Sequence, residues 1–163
     1  MVCLVVTGAL AYVNSVTDPI IQAAAAERMQ VAMSEIIPSA QVFEDISADT
    51  LPTEVIEAYI AKDDSGSASG YIFIVASNGF GGEMRVICGV DADGRIIEAR
   101  VLQHSETKGI GDYIDSRSFT SKFDSKDRGS LGEVDTVSGA SITFRAFVSA
   151  IEYALGAYEV IGK

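Results

Sequence analysis

The chain has 163 residues and a mass of 17.2 kDa, the size of one ordinary domain. Twelve Lys and Arg against 23 Asp and Glu give a net charge of −11, so a nucleic-acid backbone would repel it, and a hydrophobic content of 48% is too high for disorder. Two cysteines, Cys3 and Cys88, and one histidine, His104, exclude a disulfide framework and a multi-histidine metal centre, which points the chemistry toward a borrowed cofactor or a partner.

Residues 1–13 carry no charge, and the first charged residue is Asp18. A bilayer-spanning helix needs roughly 20 apolar residues. The uncharged run through Thr17 approaches that length and lacks both a basic leader and a small-residue cleavage pattern. Residues 1–17 are therefore expected to form a single transmembrane anchor; a buried N-terminal helix is the alternative. Asp18-Pro19 then supplies an N-cap and a first-turn proline. Ile20, Ala24, Met29, Val31, Ala32 and Ile36 recur at helical spacing until Pro38, so residues 18–38 are expected to be a helical stalk, with a core-packing helix as the alternative. Residues 39–53 have no period and read as loop.

Strand patterns follow. Residues 55–61 alternate weakly, Asp63-Asp64-Ser65-Gly66-Ser67 makes a turn, and residues 71–76 form a short apolar strand. After Gly79-Phe80-Gly81-Gly82, the side chains of Met84, Val86, Cys88 and Val90 share one strand face. Asp91-Ala92-Asp93-Gly94 is a hairpin turn. The chain returns over residues 95–104 with Ile97, Ala99 and Val101 on one side and Glu98 and Arg100 on the other. Residues 39–163 therefore read as one α+β domain, an antiparallel sheet with packed helices, in which function sits at the turns.

Two segments depart from scaffold. His104 to Asp112 contains Gly109-Ile110-Gly111, two glycines that let the backbone approach something closely, beside the polar atoms of Glu106 and Thr107. The same glycines would also serve a plain strand-to-helix turn. Asp135-Thr136-Val137-Ser138-Gly139-Ala140-Ser141-Ile142-Thr143 opens a final helix whose apolar stripe is Ala140, Phe144, Phe147, Val148, Ile151, Ala154, Leu155 and Tyr158. Hydroxyls and small residues at a helix N-terminus suit a phosphate; they also suit an ordinary N-cap made by Ser138 or Asp135.

In order and spacing, Gly79-Phe80-Gly81-Gly82, residues 89–96, Glu106-Thr107-Lys108-Gly109-Ile110-Gly111 and Ser138-Gly139-Ala140-Ser141 resemble the covalent FMN-binding domain family. Within it they resemble the G subunits of Rnf electron-transport complexes and, more distantly, the C subunit of the sodium-translocating NADH:quinone reductase. The resemblance runs through residues 79–158, and the anchor and stalk also fit it.

The resemblance implies a cofactor and its attachment. FMN would be joined through its phosphate to Ser141, the last position of a motif like Ser-Gly-Ala-Thr, by a flavin transferase that uses FAD. Glu106, Thr107, Gly109, Ile110, Gly111, Asp135, Ser138, Gly139 and Ala140 would line its site. Ser141 replaces the usual threonine and keeps the hydroxyl; Lys108 and Ile110 stand where the family usually shows proline and leucine. The implied role is a single-pass cell-membrane subunit, its domain outside the cytoplasm, passing electrons within an Rnf-type complex that couples ferredoxin/NAD electron transfer to ion translocation. Such a redox subunit of an ion-translocating oxidoreductase is not catalytic alone, because the flavin supplies the electron chemistry. A stand-alone flavin carrier and a non-flavinylated assembly module are the alternatives. A hydrolase using Ser141 or Ser138 with His104 lacks a Gly-x-Ser-x-Gly elbow.

Overall fold

A computed structural model describes residues 27–47, 51–109, 111–135 and 139–162. The chain divides into two units, Met1–Glu35 and Ile36–Lys163. The expected anchor over residues 1–17 and the Asp18-Pro19 start of the stalk lie outside the described residues. Within them, no helix is long and apolar enough to cross a membrane. Helix α1 (residues 27–36) ends just before Pro38, which sits in a turn closed by the Ala40 N–H donating to the Ile37 carbonyl. Proline there has no N–H to continue the ladder.

Five antiparallel strands follow in sequential order: β1 (Val42–Asp45), β2 (Val55–Lys62), β3 (Ala68–Asn78), β4 (Glu83–Val90) and β5 (Ile96–Gln103). Short turns link β2 to β5, and such turns give a meander. β1 corrects the expectation of loop over residues 39–53. Its four residues pair with β2 at the sheet edge and are mostly exposed, so no alternation marks them.

Across the centre of the sheet, Phe73 faces Cys88 and Ala99, and Val75 faces Val86 and Val101. These side chains meet the long helix α3 (Ser141–Ile161), which buries Phe144, Phe147, Ile151, Ala154 and Leu155 along one stripe. Expected stripe and observed stripe coincide except at Val148, which is only half-buried, at Ala146, Ala150 and Ala157, which join the core, and at Thr143, which is also buried. Ile72, Ile74 and Ile87 alternate onto the opposite face, also buried, where Ile36 and Ile37 lie against Gly89 and Gly70.

β5 carries a second correction. A register shift opposite Gly89 and Val90 pairs Val90 with Ile96 and Gly89 with Glu98, leaving Ile97 as the extra residue. Ile96 therefore enters the core in place of Ile97, which lies beside Gly70 and Ile37. Between β5 and α3, the chain winds through the short helix α2 (Arg117–Thr120) and single 3-10 turns at Asp112–Asp115, Ser121–Phe123 and Leu131–Glu133. Phe119 and Phe123 from this segment pack edge-on or tilted against Phe147 at 5.2 and 5.3 Å between ring centres. Such ring pairs add to simple burial. They fix the loop leaving β5 against the start of α3.

Candidate functional site

The site forms where three connections converge: the β3–β4 hairpin tip, the loop leaving β5, and the first turn of α3. Glu106 holds them together. Its side chain turns inward and is 8% exposed. One carboxylate oxygen accepts from the Gly81 N–H at 3.2 Å, and the other accepts from the Thr143 hydroxyl at 2.7 Å. A buried carboxylate needs such donors, since leaving it short of partners costs far more than the bonds add.

Glycines make the room. A Cβ on Gly79 would lie 2.0 Å from Glu106 Oε1, one on Gly81 would lie 2.0 Å from the Ser105 carbonyl oxygen, and one on Gly111 would lie 2.7 Å from Glu106 Cβ. Gly109 works differently. None of the described residues lies within 4 Å of where its Cβ would be, but its φ of +80° is one that side-chain-bearing residues rarely adopt, and its N–H donates to Asp112. The loop glycines thus separate into a close-approach position and a conformational one.

The start of α3 differs from an ordinary cap. Ala140 is the N-cap residue and, among the described residues, no side chain bonds to the first-turn amides, so Asp135 does not make the N-cap that the bare pattern allowed; Ser138 lies outside the described residues. Gly139, at φ +87°, turns the chain into the helix. The Tyr113 hydroxyl donates to the Ala140 carbonyl at 3.3 Å. Burial, and then the negative charge of Glu106, push the Tyr113 phenol above its ordinary pKa, so it remains a donor. Among the described residues nothing caps its first N–H groups, and the helix presents the positive end of its dipole. Ser141, its first residue, is exposed.

Between these elements lies a cleft of about 270 Å³ lined by Phe80, Glu106, Thr107, Gly111, Gly139, Ala140, Ser141, Ile142 and Thr143. It gathers six of the expected residues: Glu106, Thr107, Gly111, Gly139, Ala140 and Ser141. Glu106 is a structural clamp as well as a wall, because both its oxygens are engaged. Gly109 shapes the loop without lining the cleft. Asp135 is exposed and also off the wall. Ile110 and Ser138 lie outside the described residues. The sequence reading missed Thr143, Tyr113 and Ile142, and it gave Phe80 no task. One signal for Thr143 was present: the buried stripe continued one turn back from Phe147 lands on it, a hydroxyl on an apolar face.

His104 does not hydrogen-bond Ser141. Its Nδ1 accepts from the Glu106 N–H at 3.0 Å, which leaves the ring proton on Nε2, 2.9 Å from Asp115 Oδ2. It lines a separate open cleft beside β5 with Arg100, Asp115 and Arg117. A Ser141–His104 pair is therefore not assembled, and a hydrolase built on Ser141 loses its base; Ser138 lies outside the described residues.

The residues present fit FMN. An exposed hydroxyl and uncapped amides suit its phosphate, and Phe80 and Ile142 give apolar walls to an aromatic ring.

The FMN-binding domain family matches residues 79–156. The chain is 33% identical to the G subunit of the ion-translocating oxidoreductase complex of Shewanella baltica, covering 93% of this chain and 82% of that protein. It is 31% identical to the same-named protein of Methanosarcina acetivorans, over 80% of this chain and 74% of that one. Among solved structures, the fold is similar to that of Shewanella oneidensis NqrC, with a TM-score of 0.55 at 21% identity, covering 77% of this chain and 71% of the other.

Proposed function

Because the chain belongs to the family of FMN-binding G subunits of ion-translocating oxidoreductase complexes, we propose that it is the membrane-anchored electron-transfer subunit of an Rnf-type complex and carries FMN as a phosphoester on Ser141. One observation carries the attachment: Ser141 is an exposed hydroxyl in the uncapped first turn of α3, on the wall of the cleft that Glu106 closes. Thr143, the other described hydroxyl in that turn, is buried and spends its proton on Glu106.

In the attachment step, the Ser141 Oγ–P bond forms as the pyrophosphate bond of FAD breaks. AMP leaves, and the hydroxyl proton passes to the transferase or to solvent. Bound FMN supplies one- and two-electron exchange. The chain's residues do the rest: α3 amides face the phosphate, Phe80 and Ile142 wall the cleft, and Glu106 keeps hairpin, loop and helix in register. The amides and dipole contribute only about 0.3–1 kcal/mol each at an exposed site, too little to retain a cofactor in an open volume, which is the physical reason for a covalent bond. The other subunits of the complex would supply donor, acceptor and ion path. Residues 1–17 would be the anchor, 18–38 the stalk and 39–163 a domain outside the cytoplasm.

Co-expression with a FAD-using flavin transferase tests this reading. Wild type and Ser141→Thr are expected to give a fluorescent band on a denaturing gel, and Ser141→Ala none. A fluorescent Ser141→Ala band would overturn the attachment.

A further inference from the structure

Ile142 separates two clefts. On one side is the 270 Å³ cleft described above; on the other is a cleft of about 410 Å³ between the end of β3 and the first turns of α3. Its walls include Ser77, Asn78, Ile142, Arg145, Ser149 and, as the one carboxylate, Glu54. Two features of this second cleft are unexplained by packing. Ser77 Oγ is buried and has no hydrogen-bond partner among the described residues, a costly state unless something polar reaches it. Arg145 is the second.

Arg85, Arg117 and Arg128 each sit against a carboxylate, at 3.0, 2.7 and 2.8 Å. Arg145, like Arg28 and Arg95, makes no ion pair among the described residues. Instead its Nε donates to the carbonyl of Ser141 itself at 3.2 Å. Helical side chains lean toward the N-terminus, and this bond draws the guanidinium back over the first turn. That is the positive end of the helix, where a cation is disfavoured unless an anion joins it. One nitrogen is used; the two terminal amino groups remain, in the fork geometry that matches phosphate oxygens.

We propose that Arg145 is the positioning residue for the phosphodiester on Ser141, pairing its terminal nitrogens with the phosphate oxygens and directing the cofactor's polar arm toward the Ser77 cleft. The inference rests on the covalent FMN reading above. It explains why this arginine is tethered to the attachment residue's own backbone rather than drawn to a carboxylate in a chain of net charge −11.

The test uses the full chain co-expressed with the transferase, as wild type, Arg145→Gln and Arg145→Lys, each checked for unchanged thermal unfolding. The readout is the ³¹P resonance of the protein-bound phosphodiester, folded and in urea. In wild type the folded resonance is expected to stand apart from its urea position, in Arg145→Gln to move toward it, and in Arg145→Lys to lie between. Identical folded resonances in wild type and Arg145→Gln would overturn the role of Arg145 while leaving attachment intact. Wild-type protein without flavin on Ser141 would overturn both readings. If Arg145→Gln folds but takes no flavin, labelling restored by Arg145→Lys supports the charge, and labelling still absent overturns it.

Discussion

Ser141 and Thr143 are hydroxyls two residues apart in one helical turn, and the fold gives them opposite tasks. A helix turns about 100° per residue, so Ser141 faces out while Thr143 lies on the buried stripe, donating to Glu106 at 2.7 Å. Thr143→Val would leave a buried carboxylate oxygen without that donor. It is expected to lower unfolding stability in urea by about 1–3 kcal/mol without moving the flavin from Ser141; unchanged stability would mean that the clamp contributes nothing. Cys88 gives a second residue-scale expectation. Burial alone pushes its thiol up to about 12, so it holds its proton at neutral pH. Iodoacetamide at pH 8 is expected to spare Cys88 in the folded protein and to label it in urea, as read by peptide mass. Rapid labelling of folded protein would contradict its place between β3 and β5.

Among the elements, the hairpin tip at residues 79–82 meets the loop leaving β5 backbone to backbone. A Cβ on Gly81 would fall 2.0 Å from the Ser105 carbonyl oxygen and 2.9 Å from the Glu106 nitrogen, neither of which is a flexible side-chain end. Gly81→Ala is expected to cost about 1–3 kcal/mol by overpacking, and to open the cleft wall enough to shift the absorption of bound flavin. Gly109→Val meets no neighbour among the described residues, so its cost is conformational, about 1–3 kcal/mol for a side chain held at positive φ. If Gly109→Val unfolds in urea like wild type, the loop adopts a different turn.

These elements also show where local pattern stops informing. β4 and α3 were legible because apolar residues repeat with period 2 or 3.6, and β3 because it is a continuous apolar run buried on both faces. β1 was not, since an exposed edge strand has no buried face and exists only through pairing with β2. Nor was the exchange of Ile97 for Ile96, because a bulge is a property of two strands together. In the site, the glycines and Ser141 were legible as local backbone and chemistry. The Glu106–Thr143 contact joins residues 37 apart in sequence, and no periodicity encodes it.

On the scale of the whole molecule, the proposed function needs a domain that holds FMN and a leading segment that holds the domain at a membrane. The uncharged residues 1–17 are expected to carry the full chain into the membrane fraction. A chain beginning at Ala23 is expected to stay soluble without detergent and still accept flavin; full-length protein found soluble under the same conditions would contradict the anchor. A membrane protein in an electron chain has use for the cofactor only if it stays attached, so the proposed function stands or falls with the bond itself. That bond is read by tandem mass spectrometry of tryptic peptide 129–145 from protein matured with the transferase. The peptide holds Ser130, Thr136, Ser138, Ser141 and Thr143 together. An FMN-sized addition is expected, with fragments that place it on Ser141. An addition on Ser138 or Thr143, or a peptide that is never modified, would contradict the attachment.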